Sequence, residues 1–140
     1  MDLDEARRFI RENHRAVFSA RRAPRVADGG PQMSPVMVSL DDQGRAVISS
    51  RETAYKTKMV RRDPRVSLCV LSDGFWGRWI QVDGAAEVIS LPDAMEPLVE
   101  YYRSVSGEHP DWDDYRNAMQ RDQRVIIAVT IERAGPDRQG

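Results

Sequence analysis

The chain has 140 residues, 41% hydrophobic and 31% charged, which describes one globular domain large enough to bury a core. Its net charge of -1 and its pI near 6.1 do not fit a nucleic-acid binder, whose positive charge is high and spread. No apolar run approaches the roughly 20 residues that span a bilayer, and the one cysteine, Cys69, excludes an internal disulfide and points to a reducing cytoplasm.

The opening MDLDEARRFI is acidic and amphipathic, not ordered basic-then-apolar like a secretory leader. Leu3, Ala6, Phe9 and Ile10 recur at helical spacing, with Asp2, Asp4 and Glu5 where the helix dipole favours anions. RAVFSARRA reads as a strand around Val17 and Phe18, and Asp28-Gly29-Gly30 as a turn. QMSPVMVSL alternates, with Val36, Val38 and Leu40 on one side and Met37 and Ser39 on the other. DDQG is a second turn and RAVISS a third strand. Thr53 then caps a short helix in which Tyr55 and Met59 form an apolar i,i+4 pair, and Asp63-Pro64 ends it. RVSLCVL is the next strand, where Cys69 sits between Leu68 and Val70 and reads as a small buried side chain, not a reactive thiol. Beyond the SDGFWG turn comes RWIQVDGAAEVIS, with Gly84 as a kink in a continuous strand. Met95, Leu98, Val99, Tyr102 and Val105 form a helical stripe that Pro97 delays or kinks. Trp112, Tyr115 and Met119 share a face of another helix, and QRVIIAVTIE is a last, strongly apolar strand. Residues 133–140 read as a loose tail on a single domain of residues 1–140. Tight turns favour antiparallel pairing, and six or so short strands with few helices suggest a small barrel, since closure removes exposed edges.

Positive charge is concentrated. Between Arg51 and Arg65 stand six cations (Arg51, Lys56, Lys58, Arg61, Arg62, Arg65) against Glu52 and Asp63. Lys58, Arg61 and Arg62 share one helix face, where like-charge pairs cost about 0.2–0.5 kcal/mol each. A solvated face is the plain alternative. Two features favour an anionic ligand instead. The helix is too short to need so many cations for solubility. SSRET, just before it, brings hydroxyls at a strand end to a helix start, a setting that offers O–H and backbone N–H groups to a phosphate.

GPQMSPVMV, VISSRETAYKTKMVRRDPRVSLCVL, IQVDGAAEVIS and SGEHPDWDDYRNAMQRDQRVIIAV together resemble the pyridoxamine-5'-phosphate-oxidase-like split β-barrel superfamily. Within it they are most similar to the actinobacterial deazaflavin-dependent branch, which uses coenzyme F420. The resemblance runs from about Ala16 to Glu132. It implies a mainly β domain with peripheral helices, a six-stranded antiparallel split β-barrel of the FMN-binding kind. It implies a homodimer with two cofactor sites in grooves between the subunits. By the same resemblance Lys56 and Thr57, beside Tyr55, match the phosphate-binding Lys-Thr, and Ser49 and Ser50 match small residues lining the cofactor. Gln32, Ser34, Pro35 and Val36 match the strand beside the deazaflavin ring, and Met59, Arg61 and Arg62 the helix flanking the cofactor's tail. Trp76 and Trp79 match an aromatic region near the groove. F420 carries a phosphodiester and a glutamate tail, whereas FMN has one terminal phosphate, so a helix with Lys56 near its start and Lys58, Arg61 and Arg62 further along suits the longer polyanion better. RRAPRVADGG lengthens the first hairpin and GFWGRW is rich in aromatics, so substrate identity does not transfer.

The implied activity is hydride transfer between reduced F420 and a small organic acceptor, with no named protein nucleophile or proton donor. The alternatives are an FMN-dependent oxidase or reductase on the same barrel, and a non-catalytic F420 carrier or sensor. His14 and His109 stand apart without partners at metal-ligand spacing, so no metal site is expected, and no Ser-His-Asp set arises from them. DGGP lacks the Lys-Ser/Thr and helix of a phosphate loop, DWDD suits a helix N-terminus, and Trp112 and Tyr115 read as packing residues.

Overall fold

The computed structural model describes residues 1–136. In chain order its elements are α1 (Leu3–Glu12), β1 (Arg15–Arg21), a 3-10 turn (Ala27–Gly29), β2 (Pro31–Met37), β3 (Ser39–Leu40), β4 (Ala46–Arg51), α2 (Tyr55–Arg62), β5 (Arg65–Leu71), β6 (Trp79–Ile89), α3 (Met95–Ser106), α4 (Trp112–Arg121) and β7 (Arg124–Gly135). The strands form one antiparallel sheet in the order β2-β1-β5-β6-β7-β4-β3. Its two edge strands, β2 and β3, are one chain segment parted by Val38 alone, so the sheet curls until its edges meet there. Seven strands therefore replace the expected six. Val38 leaves the ladder, donating its N–H to the His14 carbonyl at 2.7 Å, and splits what reads in sequence as one strand.

Alternation sorts the side chains. Phe18, Ile48, Leu68, Val70, Ile80, Val82 and Ile127 fill the barrel, with Ala6, Phe9 and Ile10 of α1 and Met59 and Val60 of α2 packed against them. A second cluster lies outside β4 and β7, where Leu98, Val99 and Tyr115 of α3 and α4 cover Val47, Ile126 and Ala128. Residues 125–129 of β7 are buried throughout, which is why this strand reads as an unbroken apolar run. Cys69 differs from its expected place. Leu68 and Val70 point inward, so Cys69 faces out, half-buried, and burial still pushes its thiol pKa up.

Gly84 sits at a bulge in β6, where an added Cβ would lie 2.0 Å from the Thr130 carbonyl oxygen. Pro97 neither delays nor kinks α3. It falls in the first turn, where no intrahelical N–H is needed. Residues 133–135, read as tail, instead extend β7, pairing with Asp83, Val82 and Gln81 on the long partner strand β6. Of the rest of that expected tail, Pro136 has no regular structure and residues 137–140 lie outside the described residues.

Candidate functional site

The basic helix α2 starts at Tyr55 with Ala54 as its N-cap, and no side chain caps it. Thr53 does not take the expected capping role. Thr57 anchors the helix instead: its hydroxyl donates to the Arg51 carbonyl at 2.6 Å and shares a hydrogen bond with Ser50 Oγ at 2.9 Å. Both side chains are buried, so this pair ties α2 to β4 and its hydroxyls are enclosed. Ser49, on the opposite face of β4, is half-buried on the outside. At the far end of α2, the Asp63 N–H closes onto the Met59 carbonyl at 2.8 Å before Pro64, as expected.

The cations of this region divide into two sets. Arg61 pairs with Glu52 at 2.8 Å and donates to Ser90 Oγ at 3.0 Å, and Arg65 pairs with Glu132 at 2.9 Å. Ser90 also donates to Glu52, and the Arg61 and Ser90 bonds hold the Glu52 carboxyl below its ordinary pKa. Arg62 donates to the Arg21 carbonyl at 2.6 Å. These arginines stitch α2 and β5 to neighbouring strands. Arg51, Lys56 and Arg124 form the second set; for these, as for the exposed Lys58, no carboxylate lies within ion-pair distance among the described residues.

Strand pairing brings that second set together. Arg51 and Arg124 are direct Cα partners across β4 and β7, on the outer face that also carries Ser49 and Ile126. Lys56 enters from the first turn of α2, and its pKa is lowered first by burial and then by the Arg124 charge. Arg124 Nε is buried with no hydrogen-bond partner. Such an unmet group costs about 1–3 kcal/mol, and directly opposed like charges add to it. Beside Arg124 opens a hollow of about 280 Å³, also lined by Glu52, Leu91, Gln120 and Gln123. Tyr101 and Tyr115, on α3 and α4, lie near enough to feel the Arg124 charge. Their hydroxyls donate to the Met37 and Leu98 carbonyls at 2.9 and 2.8 Å. Burial raises both phenol pKa values, that of Tyr115 to about 12, with Tyr101 nearby adding to the Tyr115 shift. With the N–H groups of the first α2 turn, which have no acceptor within the helix, the corner gathers positive charge and hydrogen-bond donors of the kind that suit an anion.

The other sequence candidates are distributed unevenly around this corner. Met59 is buried in the barrel, and Tyr55 is half-exposed at the helix start. On β2, Gln32, Ser34 and Val36 stand opposite the buried Ala20, Phe18 and Ala16, which turns them inward. Pro35 faces out with Met33 and Met37. Gln32 accepts a hydrogen bond from Arg22 at 3.2 Å. Trp76 is 93% exposed and stacks edge-on with Phe75 in the β5–β6 turn. Trp79 begins β6, opposite Leu71. The seven residues of β5 separate this turn from α2, a span of roughly 20 Å. Within one chain, neither tryptophan joins Lys56. Arg124 and Tyr101 are absent from the sequence reading, and Arg51 enters it only as a count of charge, because the β4–β7 register and the packing of α3, not spacing along the chain, bring them to this end of the sheet.

The acidic DWDD segment works as a helix start, with Asp111 accepting from the Asp114 N–H at 3.1 Å. Trp112 and Tyr115 pack with Tyr102 and His109 at ring separations of 5.0 to 5.8 Å, which leaves no cage between them. Among the described residues no helix is long and apolar enough to cross a membrane, and no group of three metal-ligating side chains forms.

The model of the pyridoxamine 5'-phosphate oxidase family matches residues 3–136. The chain belongs to that family. It is 30% identical over 130 residues to the F420H(2)-dependent biliverdin reductase of Mycobacterium tuberculosis (strain CDC 1551 / Oshkosh), a match covering 93% of this chain and 84% of that protein. The crystal structure of the conserved hypothetical protein Rv2991 from Mycobacterium tuberculosis superposes with a TM-score of 0.75 at 23% identity, covering 96% of this chain and 82% of that one. A solved F420 reductase gives 0.68 at 18% identity, over 91% and 94% of the two chains. These structures share the family's curled antiparallel sheet, the fold expected from the sequence.

Proposed function

We propose that this family member is an F420-dependent oxidoreductase that transfers a hydride between the reduced deazaflavin and a small organic acceptor. The observation that carries the reading is the corner of Arg51, Lys56 and Arg124, three cations with no carboxylate within ion-pair distance among the described residues. The residues fit the phosphate of such a coenzyme, since the orphaned Nε of Arg124 and the free α2 N–H groups all call for an anionic acceptor. The relative named as an F420H(2)-dependent biliverdin reductase supports the choice of coenzyme. When bound, the deazaflavin supplies two-electron hydride chemistry. Lys56, Arg51 and the α2 N-terminus anchor its phosphate. Ser49 and the outward Pro35 and Met37 offer a small, mostly apolar wall for its ring. α3, through Tyr101, holds β2 in place by its bond to Met37.

A homodimer belongs to the same proposal. Met33 and Met37 on the outer face of β2 are 59% and 40% exposed, an apolar strip beside the candidate groove. Trp76 and Trp79 reach a Lys56 corner only from a second copy. The single half-buried Cys69 fits a reducing cytoplasm.

One observation favours FMN as a second reading. Glu52 neutralises Arg61, which shortens the free positive track and suits a single terminal phosphate. Two experiments test the proposal. Lys56→Ala lowers coenzyme affinity roughly tenfold to a hundredfold, by the loss of a charged hydrogen bond, with the fold intact. Unchanged affinity defeats the assignment. Steady-state oxidation of the reduced coenzyme with candidate acceptors separates an enzyme from a carrier, which turns none over.

A further inference from the structure

We infer that Arg124, at the start of the last strand, is a phosphate-binding residue whose guanidinium takes the anion held by Arg51 and Lys56. The inference rests on the proposed function in identifying that anion as the coenzyme's phosphate.

Three independent features converge on it. Arg124 stands directly across the β4–β7 ladder from Arg51, on the same face. Opposed like charges disfavour a sheet pair. Second, its Nε is buried and unpartnered, although Glu52 lines the hollow beside it. That carboxylate is already engaged by Arg61 and Ser90. The two nearby phenols donate their protons elsewhere, to the Met37 and Leu98 carbonyls. Third, Lys56 enters the same corner from α2, close enough to feel the Arg124 charge. A guanidinium presents a planar fork of donors that matches phosphate oxygens, so an arriving phosphate satisfies the buried Nε and relieves the repulsion between Lys56 and Arg124.

This arrangement makes a prediction that a structural arginine does not. Without an anion Arg124 is a burden, so its replacement leaves the free protein as stable or more stable. With an anion it is an asset.

The test compares the wild type with Arg124→Met and Arg124→Lys, using inorganic phosphate as the probe. ³¹P NMR titration reads its affinity, and thermal unfolding is followed in chloride and in phosphate at matched ionic strength. The wild type binds phosphate saturably and unfolds at a higher temperature with it. Arg124→Met loses about tenfold or more in phosphate affinity, and its unfolding temperature in chloride is equal to or above that of the wild type. Arg124→Lys retains part of the affinity and keeps the test valid if the methionine variant does not fold. Equal phosphate affinity in wild type and variants overturns the inference. So does a lower unfolding temperature of the folded variants in chloride with phosphate binding unchanged, which marks a packing residue. A separate titration with F420 distinguishes the two claims. Arg124-dependent phosphate binding without F420 binding sustains the role of Arg124 and removes the coenzyme assignment.

Discussion

Lys56 is a cation half-buried beside another cation, and its lowered pKa has a sign that can be followed into stability. A lysine whose folded pKa lies below its unfolded value opposes folding wherever the unfolded chain holds the proton. That opposition is present at neutral pH and is lifted as pH rises through the unfolded pKa. Lys56→Gln is therefore expected to raise the unfolding temperature of the free protein at pH 7 while weakening anion binding. A calorimetric scan with and without phosphate checks both signs. Tyr115 works in the opposite range. Its phenol is raised to about 12 chiefly by burial. Its contribution is complete below the unfolded pKa near 10 and is lost as pH rises toward 12. Absorbance titration of the phenolate is expected to show a late transition, absent from Tyr115→Phe. Gly84 makes the sharpest steric prediction. A Cβ there meets the Thr130 carbonyl oxygen, so Gly84→Ala forces the β6–β7 bulge apart and costs about 1–3 kcal/mol in chemical denaturation.

At the scale of elements, α2 divides its labour along its length. Its first turn faces the anion corner, while its last turn is tied to Glu52, Ser90 and the Arg21 carbonyl. Arg61→Gln is therefore expected to reduce coenzyme affinity far less than Lys56→Ala, a difference that parallel fluorescence titrations resolve. Sequence spacing made Arg61 and Arg62 visible as cations but hid their partners, which come from β1 and the β4 and β6 ends. The same limit applies to β4 and β7. The apolar run of β7 announces a doubly buried strand, and SSR announces a strand end. Only the register shows that Arg51 meets Arg124. The strand count failed for a comparable reason. Val38 continues the alternation of its neighbours in sequence, yet its N–H turns to His14. Alternation, turns and helix stops were legible because they are local. Pairing partners were not, because they are set by how the curled sheet closes.

For the whole molecule, the separation between Trp76 and the Lys56 corner is the informative length. The barrel puts the exposed aromatic turn at one end of β5 and α2 at the other. In the proposed homodimer the exposed strip of β2 is covered, so light scattering is expected to give twice the 15.9 kDa chain mass. Met33→Asp, placing a charge on that strip, is expected to yield monomers that bind the coenzyme more weakly. The proposed use of the cation corner is to hold a deazaflavin coenzyme. The most direct measurement is a side-by-side titration of the purified protein with F420 and with FMN, repeated at raised salt. A deazaflavin site of this kind binds F420 at micromolar concentration or below, more weakly as salt rises, and binds little FMN. Preference for FMN, or F420 binding indifferent to salt, contradicts it.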